Sequence, residues 1–284
     1  MRALTDNKPI EIVIQEKVLI LYEKLIRLPS TDLWRNYDIT KPRRLKTQDG
    51  ILQKVLKLKT DCSLQNVPTE ELLKPAFPIH MGSIRKECDL MTATTKSSAL
   101  DCELKVAALQ AIYSRYPKSN WIHIYTDGSK MLDNVGVGVY SELFAFYATL
   151  GPLRTNFDGK LEAIRISTEQ IRVRSVQIDN IVIFSGSLSA IQAIAAHNVA
   201  ESNIIDSCRR NINLLASEGR TVVLQWIPSH VGINGNEWAD TLARKGTEIL
   251  QAGNAKVSFS SIQGIIKNIV KKSYDANLVE EIKN

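Results

Sequence analysis

The stretch Trp226-Ile227-Pro228-Ser229-His230-Val231-Gly232-Ile233-Asn234-Gly235-Asn236-Glu237-Trp238-Ala239-Asp240 leaves a strand, Val222 to Trp226, through a glycine-containing loop and enters a helix near 236–250. The loop carries a histidine and the helix an aspartate. Asn236 can cap the helix, while Ala239, Leu242 and Ala243 recur at helical spacing toward a core, which leaves Asp240 near a sheet edge. Upstream, Trp121, Ile122, Ile124 and Tyr125 read as a short strand running into Thr126-Asp127-Gly128-Ser129. Asp-Gly-Ser alone is a turn signal. A carboxylate at a strand's C-terminal edge, joined to His230 and Asp240, is a candidate reaction site, because ligands of open α/β sheets collect at that edge.

Around these pieces the period of the apolar residues alternates. Val135 to Tyr140 and Phe144 to Leu150 read as two more antiparallel strands, with a polar, glycine-bearing hairpin signal before them. A helix near 159–175, a buried-type strand Ile181 to Phe184, and helices near 188–197 and 201–217 follow. A meander followed by alternating helix and strand predicts an α/β fold, a mixed sheet flanked by helices. Toward the N-terminus, helices are expected over 11–28 and 99–114, with short ones at 50–58 and 69–74. Pro, Thr, Ser and Lys dominate 30–100, which reads as irregular connector. The domain organisation expected is therefore a helical and irregular connector over 1–115, a domain over 116–251, and a partly helical, loosely attached tail over 252–284.

Composition removes other classes. Of 284 residues, 44% are hydrophobic and 23% charged, ordinary globular usage that excludes fibrous and wholly disordered chains. Cys62, Cys88, Cys102 and Cys208 form no CxxC or Cys/His cluster, so neither a zinc ribbon nor a disulfide framework is expected and all four read as plain thiols. Charges interrupt the longest apolar stretch, Ile12 to Leu28, and Asp6 and Glu11 precede it. No membrane span or secretory signal is expected, and the location expected is intracellular. The net charge of +6 suits a polyanionic partner, and Lys41 to Lys59 holds seven basic residues against Asp49 alone.

Taken in order, Tyr125-Thr126-Asp127-Gly128-Ser129-Lys130, Phe157-Asp158-Gly159 with Glu162-Ala163-Ile164, Ile183-Phe184-Ser185 with Ser187, and His230 to Asp240 resemble the ribonuclease H type 1 domain. They resemble especially the version at the C-terminal end of non-LTR retrotransposon polyproteins. Lys41-Pro42-Arg43-Arg44-Leu45-Lys46-Thr47 likewise resembles the connector between their reverse transcriptase and ribonuclease H. The resemblance implies a ribonuclease H-like fold with a five-stranded sheet in the order 3-2-1-4-5. It implies hydrolysis of the RNA strand of an RNA–DNA hybrid, and a reverse transcriptase module as partner within a longer polyprotein. It further implies four carboxylates holding two Mg²⁺ (or Mn²⁺) ions, with a loop histidine assisting proton transfer or product release.

Asp127 matches the first carboxylate and metal ligand of that family, Asp240 the fourth, and His230 the loop histidine. The helix glutamate falls on Lys160 and the remaining aspartate on Gly186. Glu162 cannot substitute, because two residues along a helix is a rotation of about 200°. Lys160 shares a face with Ile164, Ser167 and Ile171, so its ammonium is expected beside Asp127, competing with metal. The expectation is an impaired nuclease with weakened cation binding, or else a catalytically inactive nucleic-acid-binding module of the same fold. A transposase or integrase relative is disfavoured by the paired Thr-Asp-Gly-Ser and Gly-Asn-Glu-x-Ala-Asp segments. Gly128 and Ser129 are expected to let backbone approach phosphate, and Ser187 to cap a helix. Trp226 and Trp238 read as core or rim packing rather than stacking platforms.

Overall fold

Val and Gly alternate from Val135 to Tyr140, and the strand they form, β3 (Asn134–Ser141), lies between β2 (Trp121–Met131) and β4 (Ala145–Gly151), antiparallel to both. The protein is described here by a computed structural model covering residues 9–29, 50–73, 84–91, 99–131, 134–174, 179–250 and 256–283; the basic segment Lys41 to Thr47 lies outside these residues. On the other side of β2, β5 (Asn180–Ser185), apolar from Ile181 to Phe184, and β6 (Thr221–Trp226) add in parallel. β1 (Arg85–Glu87) then pairs with β6, giving the order β1-β6-β5-β2-β3-β4. The last five reproduce the expected 3-2-1-4-5 arrangement. The sixth strand corrects the five-stranded expectation: the open edge of β6 takes up a short polar segment that has no strand pattern of its own.

Helices cover both faces. α4 (Asn156–Arg172), α5 (Leu188–Ala195) and α6 (Asn203–Ser217) bury Leu161, Ile164, Ile171, Ile191, Ile205 and Cys208 against Ile122, Ile124 and Leu224. The opposite face takes α3 (Asp101–Arg115) and α7 (Asn234–Thr247). Leu104, Ala107, Ala108, Ala111 and Ile112 of α3 pack over Val182, Phe184 and Val223. α4 begins three residues earlier than its apolar spacing suggests, because Thr155 and Asp158 form a reciprocal capping box.

These elements form one compact unit, residues 75–255; residues 1–74 and 256–284 form another. In the second, α1 (Ile10–Leu25), α2 (Ile51–Asp61) and α8 (Phe259–Lys283) enclose a Glu23 carboxylate that is 0% exposed and holds both Arg27 and Lys59. The tail is not loose: Val257, Ile262 and Ile266 are fully buried. No helix occupies the described part of 69–74, where Thr69 instead bridges to Val257 and the Glu70 N–H donates to its carbonyl. No described helix is long and apolar enough to cross a membrane.

His123 on β2 supplies a pH prediction. Its Nε2 lies 2.6 Å from the Tyr116 carbonyl, to which it donates, and its Nδ1 is buried with no partner among the described residues. Burial holds the imidazole below its ordinary 6.5, with the Tyr116 bond opposing. The unfolded chain therefore binds the proton first as pH falls. Stability present above 6.5 declines below it. The melting temperature is expected to drop on the acid side of 6.5 by less in His123→Gln than in the parent; equal slopes would contradict this.

Candidate active site

Asp127 is not at the end of its strand, as the sequence suggested. β2 runs on to Met131 with β3 as partner, and it is the parallel pairing with β5 that ends, at Thr126 opposite Ser185. Asp127 and Gly186 are thus the residues that follow the last paired positions of two neighbouring parallel strands. β6 ends at Trp226, opposite Ser185, and leads into the loop bearing His230. That loop abuts Gly186: a Cβ built there would lie 1.8 Å from Ser229 Oγ. His230 is exposed and has φ +62°, a left-handed conformation uncommon outside glycine, in which asparagine, aspartate and histidine are the commonest other residues.

Two close backbone approaches set the helices over this edge. A Cβ at Gly128 would lie 2.5 Å from the backbone of Gly159 and Lys160, so the bare glycine lets the first turn of α4 reach β2. The packing requirement at Gly128 is therefore the helix backbone. Gly138, paired with Asp127 across the β2–β3 ladder, gives the same room to α7, where a Cβ would lie 2.0 Å from the Ala239 carbonyl oxygen. Asp240, the next residue of α7, is held over the strand pair that carries Asp127.

The carboxylates are already engaged. Asp127 is 2% exposed; its Oδ1 accepts the Gly128 N–H at 2.8 Å and an ion pair from Lys160 Nζ. Asp240, 7% exposed, pairs with Arg244 at 2.6 Å one turn on. Glu162 turns elsewhere, to Arg165 at 2.6 Å. Ser187 is the N-cap of α5, accepting the Ala190 N–H at 3.2 Å, and Ser129 lies in β2 opposite Gly136. Burial pushes the Cys208 thiol up, leaving it unreactive. Among the described residues no three His, Cys, Asp or Glu side chains gather as metal ligands.

Hard divalent cations require several oxygen donors. Here one carboxylate is taken by an ammonium, one by a guanidinium, and Gly186 supplies no side-chain oxygen. This donor set does not fit a pair of such ions. The pairing of Gly136 and Gly138 with Ala239, Ala243 and Gly246, which seats α7, escaped the sequence reading. Its signal is a Val-Gly alternation facing a helix with small residues at positions three and four apart.

A mixed sheet with an aspartate in its first long strand and a second on the last helix over it defines a ribonuclease H-like α/β fold. The RNase H family model matches residues 119–248, so this segment is similar to RNase H, a family that acts on RNA–DNA hybrids and uses divalent metals. A comparison with curated proteins found no match.

Proposed function

We propose that this domain is an RNA–DNA hybrid ribonuclease by descent, from a retrotransposon polyprotein that also carries a reverse transcriptase, in which two-metal hydrolysis of the RNA strand is impaired. The carrying observation is the Lys160 ammonium on Asp127. It sits where the family resemblance implies a glutamate, and it replaces one ligand of a cation with a competitor for another. Gly186, at the place of a further aspartate, removes another donor. The matches of Asp127, His230 and Asp240 to the family motif support the descent, and the likeness of Lys41 to Thr47 to a polyprotein connector supports the origin.

A labelled RNA–DNA hybrid incubated with the chain and Mg²⁺ or Mn²⁺ tests this. The expected result is no cleavage above background and a melting temperature that millimolar Mg²⁺ hardly moves. Cleavage by the unmodified chain, or a rise of many degrees with Mg²⁺, would overturn the reading. The second reading, a hybrid-binding module, draws on the net charge of +6. It is supported if the uncut hybrid is retained at low salt and released steeply as salt rises.

A further inference from the structure

α3 lies outside the matched residues 119–248, and between it and the start of α7 is a cavity of about 420 Å³. None of Asp127, Lys160, Gly186, His230 and Asp240 lines it. A volume of this size falls within the roughly 300–1,000 Å³ of small-ligand sites.

Two features of the lining have no internal explanation. Lys105 of α3 is half-buried with no ion-pair or hydrogen-bond partner among the described residues, although its Nζ comes within 3.0 Å of where a Gly232 Cβ would be. The adjoining N-terminus of α7 has no side-chain cap. An unpaired ammonium beside a helix N-terminus favours an anion with several oxygens, and Glu237 in the first turn of α7 is engaged by the Gly232 N–H at 3.2 Å. The nearby Glu142 does not offset this charge, being paired with Lys118.

The second feature is aromatic. Tyr140 and Trp238 stack with centroids 5.9 Å apart and planes 20° from parallel, and Trp238 is 55% exposed. Tyr113 of α3, 59% exposed, also lines the cavity. Trp238 packs on Tyr140 at the rim and leaves much of its surface open to a planar ligand, and bases stack on aromatic faces whatever their sequence.

We propose that this cavity is a nucleotide site, taking the phosphate on Lys105 and the α7 N-terminus and the base on Trp238 and Tyr113. The nucleotide is either free or the terminal unit of a single strand, for the chemistry presented is the same.

The test is a titration of the full chain with AMP in chelator, so that its outcome is independent of whether any hybrid is cut, read by tryptophan fluorescence and calorimetry. Saturable binding is expected, weakened about tenfold by Lys105→Ala, a single charge-assisted contact. Adenosine should bind more weakly than AMP and be indifferent to Lys105→Ala, whereas Tyr113→Ala should weaken both. Each variant's melting temperature confirms folding. Displacement of AMP by a short single-stranded DNA phosphorylated at its 5′ end assigns the site to a strand terminus; no displacement assigns it to the free nucleotide. No saturation by about 10 mM AMP, unchanged affinity in both variants, or inorganic phosphate binding as tightly as AMP would overturn the proposal.

Discussion

Lys160→Glu together with Gly186→Asp is expected to raise metal-dependent cleavage of an RNA–DNA hybrid by about 10³- to 10⁶-fold, equivalent to about 4–8 kcal/mol of transition-state stabilisation at 1.36 kcal/mol per decade. The first substitution removes the ammonium from Asp127 and puts a carboxylate on the same helix face, one turn before Ile164. The second places a carboxylate beside Asp127 across the β2–β5 pair. The two act as a unit, since either alone leaves the cation site short of donors, so each single change should recover far less than the pair. The second is also not free of cost. Ser229 Oγ lies 1.8 Å from the position of the new Cβ and must rotate away. Adding Ser229→Ala should therefore match or exceed the double variant, and the hybrid-cleavage rate of the parent, the two single variants, the double and the triple in Mg²⁺ and Mn²⁺ is the measurement. A double variant no faster than the parent, with or without Ser229→Ala, would remove the two substitutions as the cause of any lost activity.

Much of this site was legible because its logic is local. Helical spacing alone put Lys160 on the face of Ile164, Ser167 and Ile171, all of which are buried toward the sheet, and the ion pair with Asp127 follows from that placement. Rotation about the same helix sent Glu162 to Arg165. What escaped depends on partners distant in sequence. Arg85–Glu87 has neither alternation nor apolar residues, and is a strand only because Val223 to Gln225 present an open edge. Thr69 and Glu70 pair with Val257, nearly two hundred residues on, and so could not be told from a helical turn. His123 reads as an ordinary strand residue until Tyr116 takes one ring nitrogen and burial isolates the other.

Gly138→Ala is expected to destabilise the 75–255 unit by about 3 kcal/mol or more, lowering its melting temperature by about 6–12 °C. The added methyl would lie 2.0 Å from the Ala239 carbonyl oxygen and 2.4 Å from the Ala243 nitrogen. Both are backbone atoms of α7, so no side-chain rotation relieves the overlap and the whole helix must move off β3. Gly264→Ala is the internal control. Gly264 lies inside α8 with nothing within 4 Å of the new carbon, and there the same change should add stability, about 0.5–1 kcal/mol from helix propensity. Opposite signs for one chemical substitution separate close packing from any general intolerance of alanine; a Gly138→Ala protein melting with the parent would show that α7 is not seated on β3. The same displacement reaches the site, because Asp240 follows Ala239 and Gly138 is paired with Asp127. Introduced into the Lys160→Glu, Gly186→Asp background, Gly138→Ala should therefore abolish the recovered cleavage even at temperatures where the domain remains folded, through an outward shift of one carboxylate of the restored set.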